Sequence, residues 1–223
     1  MTDGFIECNA VNIYYRKYGK DGRPLVFLHG NGEDGRIFDG IAQKMSQSFS
    51  VYLPDARGHG QSGKVPLSYG EMAKDVCGLI RGLGLVKPLL YGFSDGGITG
   101  LILAYQNPGL LSNLAVSGVN LSPKALKFWF RLSVRLGFFF TRDPMLRLML
   151  AEPDITPADL SRITEPVCVL AGAKDIVPAK HSASVAAAIP SGALGILKGE
   201  SHGSYVLDNG KLFAALSAAS FFM

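Results

Sequence analysis

The chain has 223 residues, 48% of them hydrophobic and 18% charged, and a formal net charge of +4; this size and composition exclude a disordered protein and predict one folded domain over residues 1–223. No apolar run approaches the roughly 18 residues of a membrane-spanning helix, and residues 1–7 lack the features of a secretion signal, so we expect a cytoplasmic protein. The cysteines at positions 8, 77 and 168 show neither metal-ligand spacing nor an even-numbered framework and are predicted to be buried thiols.

The first third of the chain predicts alternating strands and helices. Runs typical of strands occupy 5–8, 11–18, 25–28 and 49–53, and helical spacing of apolar residues occupies 36–47 and 69–83. The first two runs suggest an antiparallel pair at a sheet edge, whereas the continuous apolar run 25–28 is typical of a strand that is covered on both faces. Together these elements predict an α/β fold with a mostly parallel, doubly wound sheet.

The first buried strand ends in a glycine-rich loop, residues 29–32, for which two functions compete. Residues 30–35 have the G-x-G-x-x-G spacing of a dinucleotide-binding turn between a strand and a helix. Glu33 and Asp34 oppose that function, because two carboxylates would lie beside a charged pyrophosphate. The alternative is a loop that presents the backbone N–H of Asn31 to a reacting carbonyl oxygen.

A second G-x-G-x-x-G lies within residues 55–63. It is followed by the run Lys64-Val65-Pro66 rather than by a helix, so it lacks the structural context of a nucleotide site. Polar residues in this stretch are predicted to stabilise a turn at the strand end through hydrogen bonds and an ion pair; they are Asp55, Arg57, His59 and Ser62.

Residues 89–105 predict a nucleophile on a sharp turn. An apolar strand-like run stops at Ser94, and helical spacing follows it. Gly92 and Gly96 leave room for the unusual backbone geometry that this turn imposes on Ser94, as in the G-x-S-x-G nucleophile elbow. The free N–H groups at the start of the next helix, that of Asp95 among them, point towards developing negative charge. A serine hydroxyl is a poor nucleophile at neutral pH, so a base and an anion are needed elsewhere.

Residues 121–165 are predicted to be an inserted cap. The chain here is much longer than a crossover between the predicted strands 114–119 and 167–172 requires. Residues that cap helices, followed by proline, predict three short helices, which begin after Pro123, Asp143 and Thr156.

The first predicted cap helix is amphipathic. Its basic stripe consists of Lys124, Lys127, Arg131 and Arg135, and its apolar stripe includes Phe128, Trp129 and Leu132. Residues 123–150 hold six of the 22 basic residues and one of the 18 acidic ones, a net charge of +5 against −1 for the remainder. We expect the basic stripe to face solvent and the three apolar residues to contact an apolar substrate. Contact with a membrane surface is the less favoured interpretation, and no nucleic-acid partner is expected.

Two later residues are candidate partners for Ser94. Asp175 follows the predicted strand 167–172, and His202 follows the last predicted strand, 195–197. The carboxyl ends of parallel strands are where such sheets build their sites. The remaining histidines and nearby acids lie in loops upstream, in the insertion or after His202; they are His29, His59, His181, Asp154, Asp159 and Asp208.

The order Ser94, Asp175, His202 is that of the α/β-hydrolase superfamily, which this chain resembles over nearly its whole length. The matching stretches are the oxyanion loop at 29–32, the strand-end turn at 55–62, the elbow at 92–97, the acid loop at 172–178 and the histidine loop at 201–202. The resemblance implies the α/β-hydrolase fold with a small helical cap. It also implies a serine hydrolase that cleaves a small-molecule carboxylic ester, or a thioester or amide, through an acyl-enzyme.

In that mechanism Ser94 is the nucleophile, His202 the base and Asp175 the group that orients the base. The N–H groups of Asn31 and Asp95 form the oxyanion hole, and neither a metal nor an organic cofactor is required. The side chain of Asp95 is a further candidate for substrate binding, because its carboxylate could select cationic esters such as amino-acid esters. Alternatives within the same fold are a non-catalytic ligand-binding protein, a carbon–carbon bond hydrolase and a cofactor-free haloperoxidase.

Overall fold

The computed structural model describes residues 1–20 and 22–223, and it leaves aside the side chain of Asn209. Within these residues, eight strands form one sheet and eight α-helices accompany it. The strands are β1 (Thr2–Cys8), β2 (Val11–Tyr18), β3 (Arg23–Leu28), β4 (Phe49–Pro54), β5 (Leu89–Phe93), β6 (Asn113–Ser117), β7 (Val167–Gly172) and β8 (Gly192–Leu197). The helices are α1 (Asp39–Met45), α2 (Tyr69–Gly82), α3 (Asp95–Gln106), α4 (Phe128–Thr141), α5 (Pro144–Ala151), α6 (Pro157–Leu160), α7 (Ala179–Ala188) and α8 (Asn209–Ala218).

The strands are ordered β1-β2-β4-β3-β5-β6-β7-β8 across the sheet. β1 pairs with β2 and β2 with β4 in antiparallel fashion, whereas every neighbouring pair from β4 to β8 is parallel. The predicted antiparallel pair at the sheet edge and the mostly parallel sheet are therefore confirmed. Because the parallel strands run in one direction, the loops that follow β3, β5, β7 and β8 emerge at the same edge.

The central strands are buried on both faces, as their continuous apolar runs predict. In β3, Leu25 and Phe27 pack into one hydrophobic cluster with residues of α1 and α8, and Val26 and Leu28 pack into another with residues of α2 and α3. This alternation follows from the two-residue period of a strand, which directs successive side chains to opposite faces. The two hydrophobic clusters therefore fix the central strands, whose carboxyl ends carry the loops described below.

Three helix boundaries differ from those that the sequence predicts. The predicted helix 36–47 begins as a 3-10 turn at Gly35–Phe38 and becomes α-helical only at Asp39. Pro123 starts only a short 3-10 turn, because Leu126 has an extended backbone and α4 begins at Phe128. The sequence also predicts a closing helix over 211–223, but α8 ends at Ala218, and the chain turns through a positive φ of 53° at Ser220.

Residues between β6 and β7 form the predicted insertion with α4, α5 and α6. Asp143 caps α5 by accepting a hydrogen bond from the Met145 N–H, and Thr156 forms a reciprocal capping box with Asp159 at the start of α6. The cap-then-proline pattern therefore predicted both helix starts correctly. Helix α4 is not oriented as predicted. Its buried side chain is Val134, and the apolar stripe that was predicted to contact substrate faces outward.

No helix in the described part of the chain is long and apolar enough to cross a bilayer. A cytoplasmic location stays a prediction. The three cysteines are free and buried, as expected, and burial raises the pKa of the Cys8 and Cys168 thiols to about 11.

Candidate active site

Ser94 occupies the sharp turn between β5 and α3. Its backbone has φ 51° and ψ −114°, a conformation that a residue with a side chain adopts only under constraint. A Cβ on Gly92 would overlap the carbonyl oxygen of Gly96, and a Cβ on Gly96 would overlap that of Leu28. The two glycines are therefore required by close backbone approach, as the elbow pattern predicts.

The side chains of Ser94, His202 and Asp175 meet at the carboxyl edge of the sheet. His202 Nε2 lies 3.1 Å from Ser94 Oγ, and His202 Nδ1 lies 2.6 Å from Asp175 Oδ1. An ionised carboxylate only accepts hydrogen bonds, so Nδ1 carries a proton and Nε2 of the neutral ring is free to accept the serine proton. The structure thus brings together three residues that are 27 and 108 positions apart.

Asp175 is held firmly at the end of β7. It is 1% exposed, and its Oδ1 also accepts a hydrogen bond of 3.0 Å from the Val177 N–H. This second contact fixes the carboxylate in the orientation that the imidazole meets.

The imidazole of His202 lies close to two residues, Phe93 and Gly118, whose part in the site the sequence does not predict. The ring of Phe93 lies 5.1 Å from it, measured between centroids. A Cβ on Gly118 would lie 2.6 Å from His202 Cε1, and Gly118 has a φ of 64°. The available signal is a glycine inside the predicted strand 114–119, which the structure places directly after the end of β6 at Ser117, although the sequence alone does not show which side chain would occupy the space.

Two backbone N–H groups are available for an oxyanion. Neither the N–H of Asn31 nor that of Asp95 donates to a protein acceptor within the described residues. The Asn31 side chain links the loop to its surroundings, because its Nδ2 donates to Asp95 Oδ2 at 2.9 Å and to the Met145 carbonyl at 3.3 Å. The oxyanion loop, the elbow and the inserted segment are therefore connected through one amide.

His29 has a structural part in this loop. Its Nδ1 donates to the Gly30 carbonyl at 2.8 Å, and its Nε2 accepts from the Ala56 N–H at 2.9 Å, so both nitrogens of the neutral ring are used. Burial lowers the pKa of His29 to about 4, and the neighbouring His59 adds to this effect. His181 is also occupied, since its Nε2 accepts the Leu121 N–H at 3.1 Å.

The carboxylate of Glu33 folds back onto the same loop. Its Oε2 accepts a hydrogen bond of 2.8 Å from the Gly30 N–H. A pyrophosphate on this turn would need that N–H, so the loop geometry disfavours the dinucleotide-binding alternative.

The turn after β4 is stabilised as expected. Asp55 accepts hydrogen bonds from the backbone N–H groups of Gly35 and Gln61, both at 2.9 Å. Arg57 forms a buried, bidentate ion pair with Asp75 of α2, with N···O distances of 2.6 and 2.7 Å. These contacts tie the turn to α2 and to the loop beside the site.

The hydroxyl of Ser94 opens onto a cavity of about 10 Å³, which is space for roughly one water molecule. Polar lining comes from Tyr69, Ser94, Asp95, Asn120, Glu152 and His202, and apolar lining from Leu126, Met149 and Ile176. The predicted apolar substrate contacts are elsewhere: Phe128, Trp129 and Leu132 lie on the exposed face of α4 and do not line this cavity. The reason is the outward rotation of that helix.

Asp95 does line the cavity, as its predicted substrate contact requires. It is 5% exposed, and burial raises the pKa of its carboxyl group, while hydrogen bonding from Asn31 and Tyr69 opposes the rise. Asp95 and Ser94 therefore line the same cavity.

Three comparisons relate the chain to known proteins. Residues 23–153 match a family model described as the alpha/beta hydrolase fold. A mouse protein named sn-1-specific diacylglycerol lipase ABHD11 is 41% identical over 102 residues, which are 44% of this chain and 33% of that protein. The human serine hydrolase BPHL is 31% identical over 127 residues, 54% of this chain and 44% of that protein.

The fold is also found among solved structures. A bromoperoxidase from Bacillus anthracis superimposes with a TM-score of 0.84 at 20% identity, and the match covers 98% of this chain and 99% of that one. The chain spans between a third and a half of the length of the curated relatives it matches. The family match extends over more than half of the sequence and includes the loop of Asn31 and the elbow of Ser94. This chain belongs to the alpha/beta hydrolase fold family.

Proposed function

We propose that the protein is a serine hydrolase that cleaves a carboxylic ester through an acyl-enzyme on Ser94. The observation that carries the proposal is the pair of contacts at His202, which reach Ser94 Oγ at 3.1 Å and Asp175 Oδ1 at 2.6 Å. A hydroxyl, an imidazole and a carboxylate in this order form the arrangement that activates a serine at neutral pH. The lipase and hydrolase names of the mouse and human relatives agree with it.

The first half-reaction forms the acyl-enzyme. Ser94 Oγ attacks the carbonyl carbon while its proton passes to His202 Nε2, and Asp175 stabilises the imidazolium. The carbonyl oxygen becomes an oxyanion that accepts hydrogen bonds from the N–H groups of Asn31 and Asp95. When the tetrahedral intermediate collapses, the C–O bond to the alcohol breaks and the leaving oxygen takes the proton from His202.

The second half-reaction releases the acid. Water attacks the acyl carbon and gives a proton to His202, and the collapse of the new intermediate returns that proton to Ser94 Oγ. The same steps serve a thioester or an amide. All groups come from the chain itself, and no step calls for a metal or an organic cofactor.

Covalent labelling tests the proposal. A fluorophosphonate probe is expected to label the protein at Ser94, and Ser94→Ala is expected to abolish labelling and to lower kcat on p-nitrophenyl acetate by at least about 10³-fold. Ser133→Ala, which removes an exposed hydroxyl on α4, is the matched control and should retain both. A non-catalytic binding protein would not be labelled at Ser94, and near-normal turnover by Ser94→Ala would refute the assignment.

The small cavity predicts a preference for short acyl chains. A series of p-nitrophenyl esters from acetate to laurate is expected to show kcat/KM falling with chain length. A preference for the long chains would mean that the insertion opens a larger apolar site than the cavity beside Ser94.

A selective preference for cationic esters is the second candidate. Asp95 and Glu152 both line the cavity, and no lysine or arginine lines it within the described residues. An aminoacyl ester would place its ammonium group near these carboxylates. Competition between a neutral ester and the matching aminoacyl ester decides the question, because equal kcat/KM values would exclude the preference.

A further inference from the structure

Helix α4 presents an apolar face to solvent. Its exposed large side chains are between 45% and 78% accessible; they are Phe128, Trp129, Leu132, Leu136, Phe139 and Phe140. We refer to these six residues as the outer face. Large apolar groups scattered singly on a surface are ordinary, but six on one helix form a patch of the kind that marks an interaction site.

The outer face is continuous around the helix. At 3.6 residues per turn, the six side chains fall within about 120° of the helix circumference, and no polar residue of α4 falls inside that arc. The inner side is smaller and consists of the buried Val134 with Phe130, Gly137 and Phe138 partly buried. The helix therefore carries more large apolar side chains towards solvent than towards α5 and the rest of the insertion, which is the reverse of a surface helix that only packs on a core.

Unpaired basic residues border the outer face on one flank and at both ends. Arg131 and Arg135 lie along one flank of it, Lys124 and Lys127 precede it in the chain, and Arg142 and Arg147 follow it. None of these six forms a salt bridge within the part of the chain that the structure describes. The Arg142 guanidinium lies 5.7 Å from the Phe139 ring centroid, so charge and aromatic surface are directly adjacent.

We propose that the outer face of α4 docks onto an anionic phospholipid surface. Aromatic and leucine side chains insert at the boundary between headgroups and acyl chains, and flanking lysine and arginine side chains pair with lipid phosphates. A second copy of this chain fits less well, because it would bring its own segment of net charge +5 against this one. The occupant is therefore a negatively charged surface with an apolar interior.

Helix α4 belongs to the same inserted segment that lines the cavity at Ser94. The inserted segment supplies Leu126, Met149 and Glu152 to the cavity at Ser94, and α4 packs against α5 within that segment. Docking of α4 would therefore hold the segment that lines the cavity at Ser94 against the lipid surface. Binding itself needs no ester cleavage, so it can be measured on Ser94→Ala and stands or falls separately from the proposed function.

The chain contains a single tryptophan, Trp129, and it lies in the outer face. We expect its fluorescence to shift to shorter wavelength on addition of vesicles of phosphatidylcholine with 30% phosphatidylglycerol, and to be quenched by lipids brominated in the acyl chain. Vesicles of phosphatidylcholine alone should bind more weakly, and 0.5 M salt should reduce binding to the anionic vesicles.

The variant Phe139→Ser/Phe140→Ser is expected to lower the partition coefficient at least about tenfold, because two aromatic rings that would insert into the lipid are lost. Val86→Ser, which removes an apolar side chain that is 80% exposed on the loop before β5, is the matched control and should bind as the parent does. All of these side chains are exposed, so unfolding temperatures should stay equal. An unchanged fluorescence spectrum with anionic vesicles would overturn the proposal. So would a concentration-dependent dimer that forms without lipid and is lost in the double variant.

Discussion

Strand β5 and helix α4 are both rich in apolar residues, but they are buried to very different extents. All five residues of β5 are buried, whereas Val134 is the buried residue among the 14 of α4. A strand between two parallel neighbours is covered on both faces, so its apolar residues have one available environment. A helix at the periphery can turn either side inward, and its amphipathic pattern alone does not decide which. Position in the fold therefore determines what an apolar pattern means.

The largest expected effect concerns the buried edge of the sheet, where Ser94, Asp175 and His202 meet. Asp175→Asn should lower kcat by about 10⁴-fold, because an amide in place of the carboxylate favours the wrong tautomer of His202 and no longer stabilises the imidazolium. The measurement is steady-state turnover of p-nitrophenyl acetate. Asp154→Asn, which changes an exposed carboxylate of the inserted segment, is the control and should lose less than about twofold. Retention of activity within tenfold by Asp175→Asn would contradict the proposed role.

A pair of leucine variants compares the two environments within the insertion itself. Leu148 of α5 is 3% exposed and Leu136 of α4 is 52% exposed. Leu148→Ala should lower the free energy of unfolding by about 2–5 kcal/mol, because it leaves a cavity, whereas Leu136→Ala should change it by less than about 0.5 kcal/mol. Urea denaturation measures both. Equal losses would mean that the outer face is packed against something in the isolated protein.

The fold was largely predictable because its elements have strong local signals. The apolar runs at β3, β5 and β7 indicate strands buried on both faces, and Gly92 and Gly96 indicate the turn between β5 and α3. The orientation of α4 was not predictable. Its apolar residues could equally have lined a pocket, and only the placement of Val134 inward determines that they do not.

The three reactive side chains of the candidate site could be predicted from the sequence, but the contacts that hold them in place could not. Residues at the ends of parallel strands share an edge, and the order Ser94, Asp175, His202 along the chain distinguishes these three from His29 and Asp55, which also follow strands. The bond between the Asn31 amide and the Asp95 carboxylate joins residues 64 positions apart, and the space beside His202 depends on Gly118. Such contacts arise from distances between loops, which no local pattern encodes.

A smaller effect concerns the buried histidine beside the site. Burial lowers the pKa of His29 to about 4, so between about pH 6.5 and pH 4 the unfolded chain binds a proton that the folded protein does not. Stability from this group is therefore fully present above pH 6.5 and is lost as the pH falls towards 4, by about 3 kcal/mol in total. Urea denaturation at several pH values measures the slope.

The control for this prediction is His29→Gln, which retains a donor for the Gly30 carbonyl and an acceptor for the Ala56 N–H but does not titrate. Its free energy of unfolding should fall less steeply between pH 6.5 and pH 4 than that of the parent. Parallel curves would show that His29 does not contribute to the acid sensitivity.

The smallest expected effect concerns Gly118. It tests whether a glycine is needed there because a Cβ would displace His202 or only because the backbone has a positive φ. Gly118 and Gly109 both have positive φ, 64° and 81°, but a Cβ on Gly118 would lie 2.6 Å from His202 Cε1, whereas one on Gly109 would meet nothing within 4 Å. Both alanine variants should lose about 1 kcal/mol of stability from backbone strain. Gly118→Ala alone should also lower kcat, by about 10²-fold, because displacement of the imidazole by a fraction of an ångström misaligns its bond to Ser94. If both variants kept the parental kcat, contact with Gly118 would not position His202, and the imidazole would have to be held from the Phe93 and Asp175 sides alone.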